Sequence, residues 1–324
     1  MLRFPIPDSR FPIPDSRFLP VRLYTHPSCL LHSAGPGHPE SPSRLQAVLQ
    51  SLDGDRFAAL DRVEAPRATR VQLERAHDSA LIDLLFDNAP REGHVRIDAD
   101  TAMSADSLDA ALRAAGAVCA AVDAAIDGDA PRAFCAVRPP GHHATRAVAM
   151  GFCLFNSIAV GAAHALARGL ERVAIVDFDV HHGNGSQDIF WDDPRVLYAS
   201  THQWPLYPGT GARNETGAGN IVNAPLPPGS GSREFRAACQ AIVLPALRAF
   251  RPQLVMISAG FDAHQLDPLA DMNLDSDDYA WITSELVEIA RTFAGGRAVS
   301  SLEGGYSLTA LRQSAAAHVA AMLD

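Results

Sequence analysis

The chain has 324 residues, 47% hydrophobic and 20% charged, enough apolar side chains to bury one large core or two modest ones. Its formal net charge of −10, from 37 acidic against 27 basic residues, argues against a nucleic-acid partner and favours cationic or neutral ones. The cysteines Cys29, Cys119, Cys135, Cys153 and Cys239 are dispersed and never form a CxxC pair, so neither a disulfide framework nor a thiolate metal site is expected.

At the N-terminus the heptad RFPIPDS occupies Arg3–Ser9 and recurs at Arg10–Ser16. Two prolines per heptad remove backbone donors and restrict the preceding residues, so residues 1–20 are expected to form a poorly ordered extension. No apolar signal core follows, and no run reaches the roughly 18 residues of a membrane span. A cytoplasmic, reducing location without a membrane partner is the expectation.

From residue 21 to 324 we read one domain. Alanine-rich helical periodicity covers Ser107–Ile126, followed by a β-rich run at Ala133–Val137, a helix at Asn156–Arg168 and a strand at Val173–Val180. A strand at Val196–Thr201, a helix at Ser232–Phe250, a strand at Leu254–Ala259, a helix at Ser276–Phe293 and a strand at Ala298–Leu302 complete the pattern. Alternation of this kind predicts an α/β fold, a mainly parallel sheet between helical layers.

Polar residues and glycines follow each of these strands: Arg138–His143, the stretch VDFDVHHGNG at Val176–Gly185, His202 with Tyr207–Gly211, Gly260–Asp262, and Glu303–Tyr306. Open α/β sheets bind ligands at the carboxyl ends of their strands, so one shared site is the economical inference. Asp179 and His181, two residues apart, project to one face of an extended strand end. With Asp262 from another strand end they make a three-ligand site with an open position, suited to zinc or ferrous iron. His142 and His143 follow a Pro-Pro-Gly turn and can exchange protons with a metal-bound water. Asp177 and Asn184 are available to fix their tautomers, and the Tyr306 hydroxyl could donate to an oxyanion opposite the metal.

RPPGHHA (Arg138–Ala144), GFCLFN (Gly151–Asn156), DFDVHHGNG, YPGTG (Tyr207–Gly211), SAGFDAH with DPL (Ser258–Leu269) and EGGY (Glu303–Tyr306) together resemble the zinc-dependent histone deacetylase family. HPESPSR at His38–Arg44 looks like its N-terminal motif, and the details are closest to class II deacetylases and bacterial histone deacetylase-like amidohydrolases. The resemblance implies the arginase/deacetylase fold, an eight-stranded parallel sheet between helical layers, and residues 21–324 as the deacetylase catalytic domain. It implies hydrolysis of N-acyl-lysine, with Asp179, His181 and Asp262 as ligands of one zinc ion. His142 and His143 match the tandem pair, with His143 the general base and acid, and Tyr306 matches the carbonyl-polarising phenol. Gly151, Phe152, Tyr207 and Gly304 match substrate-tunnel positions. Asp177, Asp179, His181, Ser200 and Thr201 match a potassium site. Arg44 matches either an acetate-channel residue or a structural ion-pair partner.

Asn184 stands where class I members usually carry aspartate, so the histidine paired with it is expected to be less basic than the one paired with Asp177. Gly183 replaces the further carboxylate that the arginase branch uses for a second metal, which leaves His264 a minor candidate for a bridging role. His26, His32, His77, His94, His164 and His318 are read as surface or packing residues, Cys153 as a small buried one, and Asp98 and Asp100 as rim or loop-capping groups. His182 should point away from the metal face by strand alternation. Acetylated polyamines or other small acetylated amines are an alternative substrate class, a catalytically silent acyl-lysine binding module is a further one, and homo-oligomerisation is left open.

Overall fold

The computed structural model describes residues 21–324; the two RFPIPDS heptads lie outside the described residues. Ten strands occur among them: β1 (Val21–Thr25), β2 (Asp61–Glu64), β3 (His94–Arg96), β4 (Ala102–Ser104), β5 (Arg132–Cys135), β6 (Val173–Asp177), β7 (Val196–Gln203), β8 (Ile221–Leu226), β9 (Leu254–Ala259) and β10 (Ala298–Leu302). Eight of them form one sheet in the order β2-β1-β5-β10-β9-β6-β7-β8, and every neighbouring pair is parallel. Strands β3 and β4 pair separately as a small antiparallel ribbon.

The five strands expected from sequence are the five contiguous central members, β5-β10-β9-β6-β7. Every residue of these five is buried, because helices cover both faces, and such strands read as unbroken apolar runs. Ser107–Asp127 and Ser157–Ala167 pack together on one side, and Ser276–Phe293 and Leu308–Leu323 pack together as a second pair. Strands β1, β2 and β8 were not anticipated. The four residues of β2, Asp-Arg-Val-Glu, are largely exposed at one edge, and β8 at the other edge carries Pro225, which an interior strand rarely accommodates.

Expected helices recur with ends shifted by a residue or less, except one. Ser232–Phe250 divides into Ser232–Ala238, a π-helical turn at Cys239–Val243, and Leu244–Phe250. Pro245 lies in the first turn of the last piece and has no N–H to donate to the preceding turn, which accounts for the break. No helix among the described residues is long and apolar enough to cross a membrane, and all five cysteines are buried and free.

Several buried histidines serve the fold in the neutral state. His77 Nδ1 lies 2.9 Å from the Thr145 carbonyl, while its Nε2 accepts from the Asn156 N–H at 2.9 Å. His318 sits between Thr283 and Ser300, and His202 between Ser200 and the Gly211 carbonyl. Burial lowers the pKa of His77 to about 4, of His202 to about 4 and of His318 to about 3. The unfolded chain protonates these rings near pH 6.5, so it binds more protons than the native state below that value. The contribution of these three rings is therefore complete above pH 6.5 and is lost as pH falls towards the folded pKa values, by about 1.4 kcal/mol per pH unit for each ring. Urea unfolding between pH 6.5 and 5 should show this decline, and a flat profile would contradict the neutral assignment.

Candidate functional site

Because all eight sheet strands are parallel, the segments after β5, β10, β9 and β6 emerge side by side at one edge of the sheet. They carry the tandem histidines, Glu303–Tyr306, Gly260–Asp262 and Phe178–Asn184, respectively. Strand β6 ends at Asp177, so Asp179 and His181 do not lie on an extended strand end as expected. Instead the chain bends twice, each time closed by an aspartate accepting from the backbone two residues on. Asp177 Oδ1 accepts from the Asp179 N–H at 3.1 Å and Asp179 Oδ1 from the His181 N–H at 2.9 Å.

These bends bring donor atoms of Asp179, His181 and Asp262 within 4.8 Å of one another. His181 Nδ1 is 3.2 Å from Asp179 Oδ1 and 3.1 Å from Asp262 Oδ2. The carboxylates are held from behind: Asp179 Oδ2 accepts from the Gly304 N–H and Asp262 Oδ1 from the Val180 N–H, both at 2.8 Å. Burial, reinforced by the Asp179 charge, pushes Asp262 up to about 7, and against burial the two carboxylates raise His181 to about 10. The cluster thus retains a proton at neutral pH as compensation for two adjacent buried carboxylates. Two hard oxygen donors and one imidazole around excess negative charge fit a divalent cation. His264 lies outside this cluster and lines a separate pocket with Asp275 and Gln313, so a bridging role is not supported.

The tandem histidines differ in their partners. His142 Nδ1 lies 3.0 Å from Asp177 Oδ2, and against burial the charges of Asp177 and Asp179 hold its pKa well above the ordinary value. His143 Nδ1 lies 2.8 Å from Asn184 Oδ1; burial, then repulsion from His142 and His181, holds it well below. The structure has this inequality in the direction expected from an amide at residue 184. Asn156 ties the same loop down by donating to the Ala144 carbonyl and Ser186.

A pocket of about 200 Å³ opens onto His143, His181 and Tyr306, walled by Phe152, Tyr207, Leu206 and Leu269, with Gly151 and Asp100 at its side. The Phe152 ring stands edge-on to Tyr306 at 6.0 Å, and Tyr207 edge-on to His143 at 5.1 Å. Burial raises the Tyr306 phenol well above its ordinary pKa, against the nearby Arg44 guanidinium. Asp98 caps the turn by accepting from the N–H groups of Asp100 and Thr101, so it is Asp100 that reaches the pocket. Asp177 pairs in register with Ser200 on β7, and Thr201 follows it.

His182 is buried, bonded to Thr210 and Gln187 away from the cluster, and its neutral state (pKa about 2) reflects that burial. Arg44 is fully buried and spends its donors on Glu40 and on the carbonyls of Gly305 and Glu303, with its guanidinium 4.9 Å above the Tyr306 ring. This favours the structural ion-pair reading. Glu40 also binds Arg138 through both carboxylate oxygens. Glu40, Arg138, Asp267 and Glu303 received no role from the sequence although each lies inside a quoted motif; a charged residue next to glycine or proline in such a motif was the available signal.

Residues 38–322 match the family described as the histone deacetylase domain. The chain belongs to the histone deacetylase domain family. Among its relatives, a histone deacetylase-like amidohydrolase of Pseudomonas aeruginosa is 40% identical over 303 residues, covering 86% of this chain and 80% of that protein. A probable deacetylase of Archaeoglobus fulgidus is 38% identical over 290 residues, covering 87% and 80%. The crystal structure of the HDA15 HD domain superposes with a TM-score of 0.88 at 37% identity, covering 94% of this chain and 88% of that one. The α/β fold with its eight-stranded parallel sheet is therefore that of the histone deacetylase family.

Gly304 leaves no room for a side chain. A Cβ there would sit 2.1 Å from Asp262 Oδ2 and 2.6 Å from Asp179 Oδ2. Gly304→Ala should destabilise by about 1–3 kcal/mol in urea unfolding. Gly54→Ala, where no atom lies within 4 Å, should change stability far less. Equal effects at the two positions would contradict the packing described.

Proposed function

We propose that the chain is a zinc-dependent amidohydrolase that cleaves the N-acetyl amide of lysine side chains. The observation that carries this reading is the apolar slot between Phe152 and Tyr207, which suits an alkyl tether and ends on three polar groups, His143, His181 and Tyr306. Asp179, His181 and Asp262 would hold the zinc ion. Bound there, zinc supplies a Lewis acid for the acyl carbonyl and brings the pKa of water towards about 7.

The protein's own groups divide the remaining work. His143 is neutral, and with its Nδ1–H donated to Asn184 Oδ1 its Nε2 lone pair is free to take the proton of the attacking water. The same ring then returns that proton to the departing amine. His142, paired with Asp177, stays charged and gives positive potential beside developing negative charge. Tyr306 stays a phenol and donates to the carbonyl oxygen as it becomes an oxyanion. A monovalent cation, potassium, is proposed beneath the cluster at Asp177, Asp179, His181, Ser200 and Thr201. In its support, the buried Ser258 Oγ, on the strand residue paired with Asp177, has no hydrogen-bond partner.

Asp100 at the pocket side, and the overall charge of −10, give the acetylated polyamines some support as substrates. Zinc-loaded protein assayed on acetyl-lysine peptides and on acetylated polyamines decides between the two classes. Peptide cleavage should dominate; His143→Ala should lower kcat by about 10²–10⁴-fold and Tyr306→Phe by about 10²–10³-fold. If neither amide class is cleaved, or both variants keep the full rate, the hydrolase reading fails.

A further inference from the structure

We propose that Glu303 is a positioning residue, holding the turn that carries the tandem histidines; its catalytic meaning rests on the amidohydrolase reading above. Glu303 follows the last residue of β10, between β5 and β9 at the centre of the sheet, and is 1% exposed. Its main chain is fixed on both sides. The N–H donates to the Ala259 carbonyl at 3.0 Å, and the carbonyl accepts from Arg44. From this anchor the side chain reaches the loop that leaves β5, where Oε2 accepts from two successive N–H groups, Gly141 at 2.6 Å and His142 at 3.1 Å.

The opposite side of that turn is also closed. A Cβ on Gly141 would meet the Ser157 nitrogen at 2.6 Å and the Phe155 carbonyl at 3.0 Å, so the turn lies between Glu303 and the start of the Ser157–Ala167 helix. Held there, His142 Nδ1 faces Asp177 and His143 Nδ1 faces Asn184, the contacts that orient the two rings. One carboxylate oxygen thus fixes the backbone from which both imidazoles depart. The other oxygen, Oε1, is buried and without a partner. An amide NH2 can occupy its position without displacing an existing bond, whereas a shorter side chain withdraws the acceptor from the turn.

Three variants separate reach from charge. Glu303→Gln keeps the acceptor without the charge, Glu303→Asp keeps the charge without the reach, and Glu303→Ala keeps neither. With acetyl-lysine peptide as substrate, Glu303→Ala and Glu303→Asp should lose about 10- to 100-fold in kcat with KM unchanged, as misplacement of the histidines requires. Glu303→Gln should stay within about threefold of the unmodified protein, the geometry being retained. Hydrogen exchange at the amides of Gly141 and His142, read by mass spectrometry, gives a second test that needs no turnover. Exchange should accelerate about 10- to 100-fold in Glu303→Asp and Glu303→Ala and remain near the unmodified rate in Glu303→Gln. Should Glu303→Ala fail to fold, the Asp and Gln variants decide alone. A fully active Glu303→Asp, a Glu303→Gln as impaired as it, or a loss confined to KM overturns the proposal. If the unmodified protein cleaves no acyl amide, the functional reading fails instead, and unchanged amide protection in Glu303→Asp would still overturn the positioning role.

Discussion

Two carboxylates whose oxygens lean on one imidazole, in a place that water hardly reaches, set the terms for this whole structure. Asp179 and Asp262 are essentially unexposed, and Asp177, Glu303 and Glu40 add further buried carboxylates around them. Charges so placed are costly unless each lone pair meets a donor or a cation. The parallel sheet supplies the donors, because every strand delivers its following loop to the same edge and turns fresh backbone N–H groups towards the neighbours' side chains. Gly304 donates to Asp179, Val180 to Asp262, and Gly141 with His142 to Glu303.

Arginines and histidines provide the rest of the compensation, and the way they do so separates function from scaffold. Arg44 and Arg138 share Glu40 and spend other donors on main-chain carbonyls, which makes them struts beneath the pocket. His142 takes its charge from Asp177, while His143, given only an amide partner, remains neutral. A charged and a neutral imidazole thus stand side by side, set apart by burial and by their neighbours. The pocket walls add an apolar slot, formed by Phe152, Leu206, Tyr207 and Leu269, that ends on His143, His181 and Tyr306.

Much of this was legible in the sequence, and the misses have physical causes. The central strands were found because burial on both faces demands uninterrupted apolar residues; β1, β2 and β8, at or near the sheet edges, lack that demand. Asp179, His181 and Asp262 were singled out correctly as a cluster, but on the premise of an extended strand. Two successive aspartate-closed bends bring them together, a conformation that DxDxH spacing alone does not distinguish from a strand. The inequality of His142 and His143 was readable from Asp177 and Asn184. For Glu303 the sequence offers only a charged residue beside Gly304, since its partners are backbone N–H groups that leave no trace in residue identity. Pro245 could have announced the break in the Ser232–Phe250 helix, since a proline within a helical pattern removes a donor.

The most direct test of the central claim, that the Asp179–His181–Asp262 cluster is built around a cation and holds a proton in its place, is a calorimetric zinc titration. Metal-free protein at pH 7 would be titrated in two buffers of different ionisation enthalpy. With His181 at about 10 and Asp262 at about 7, ligation must displace protons as the ion enters. One zinc ion per chain should bind with release of about one proton or more, both abolished in His181→Ala. Absence of stoichiometric uptake, or uptake without proton release, would contradict it.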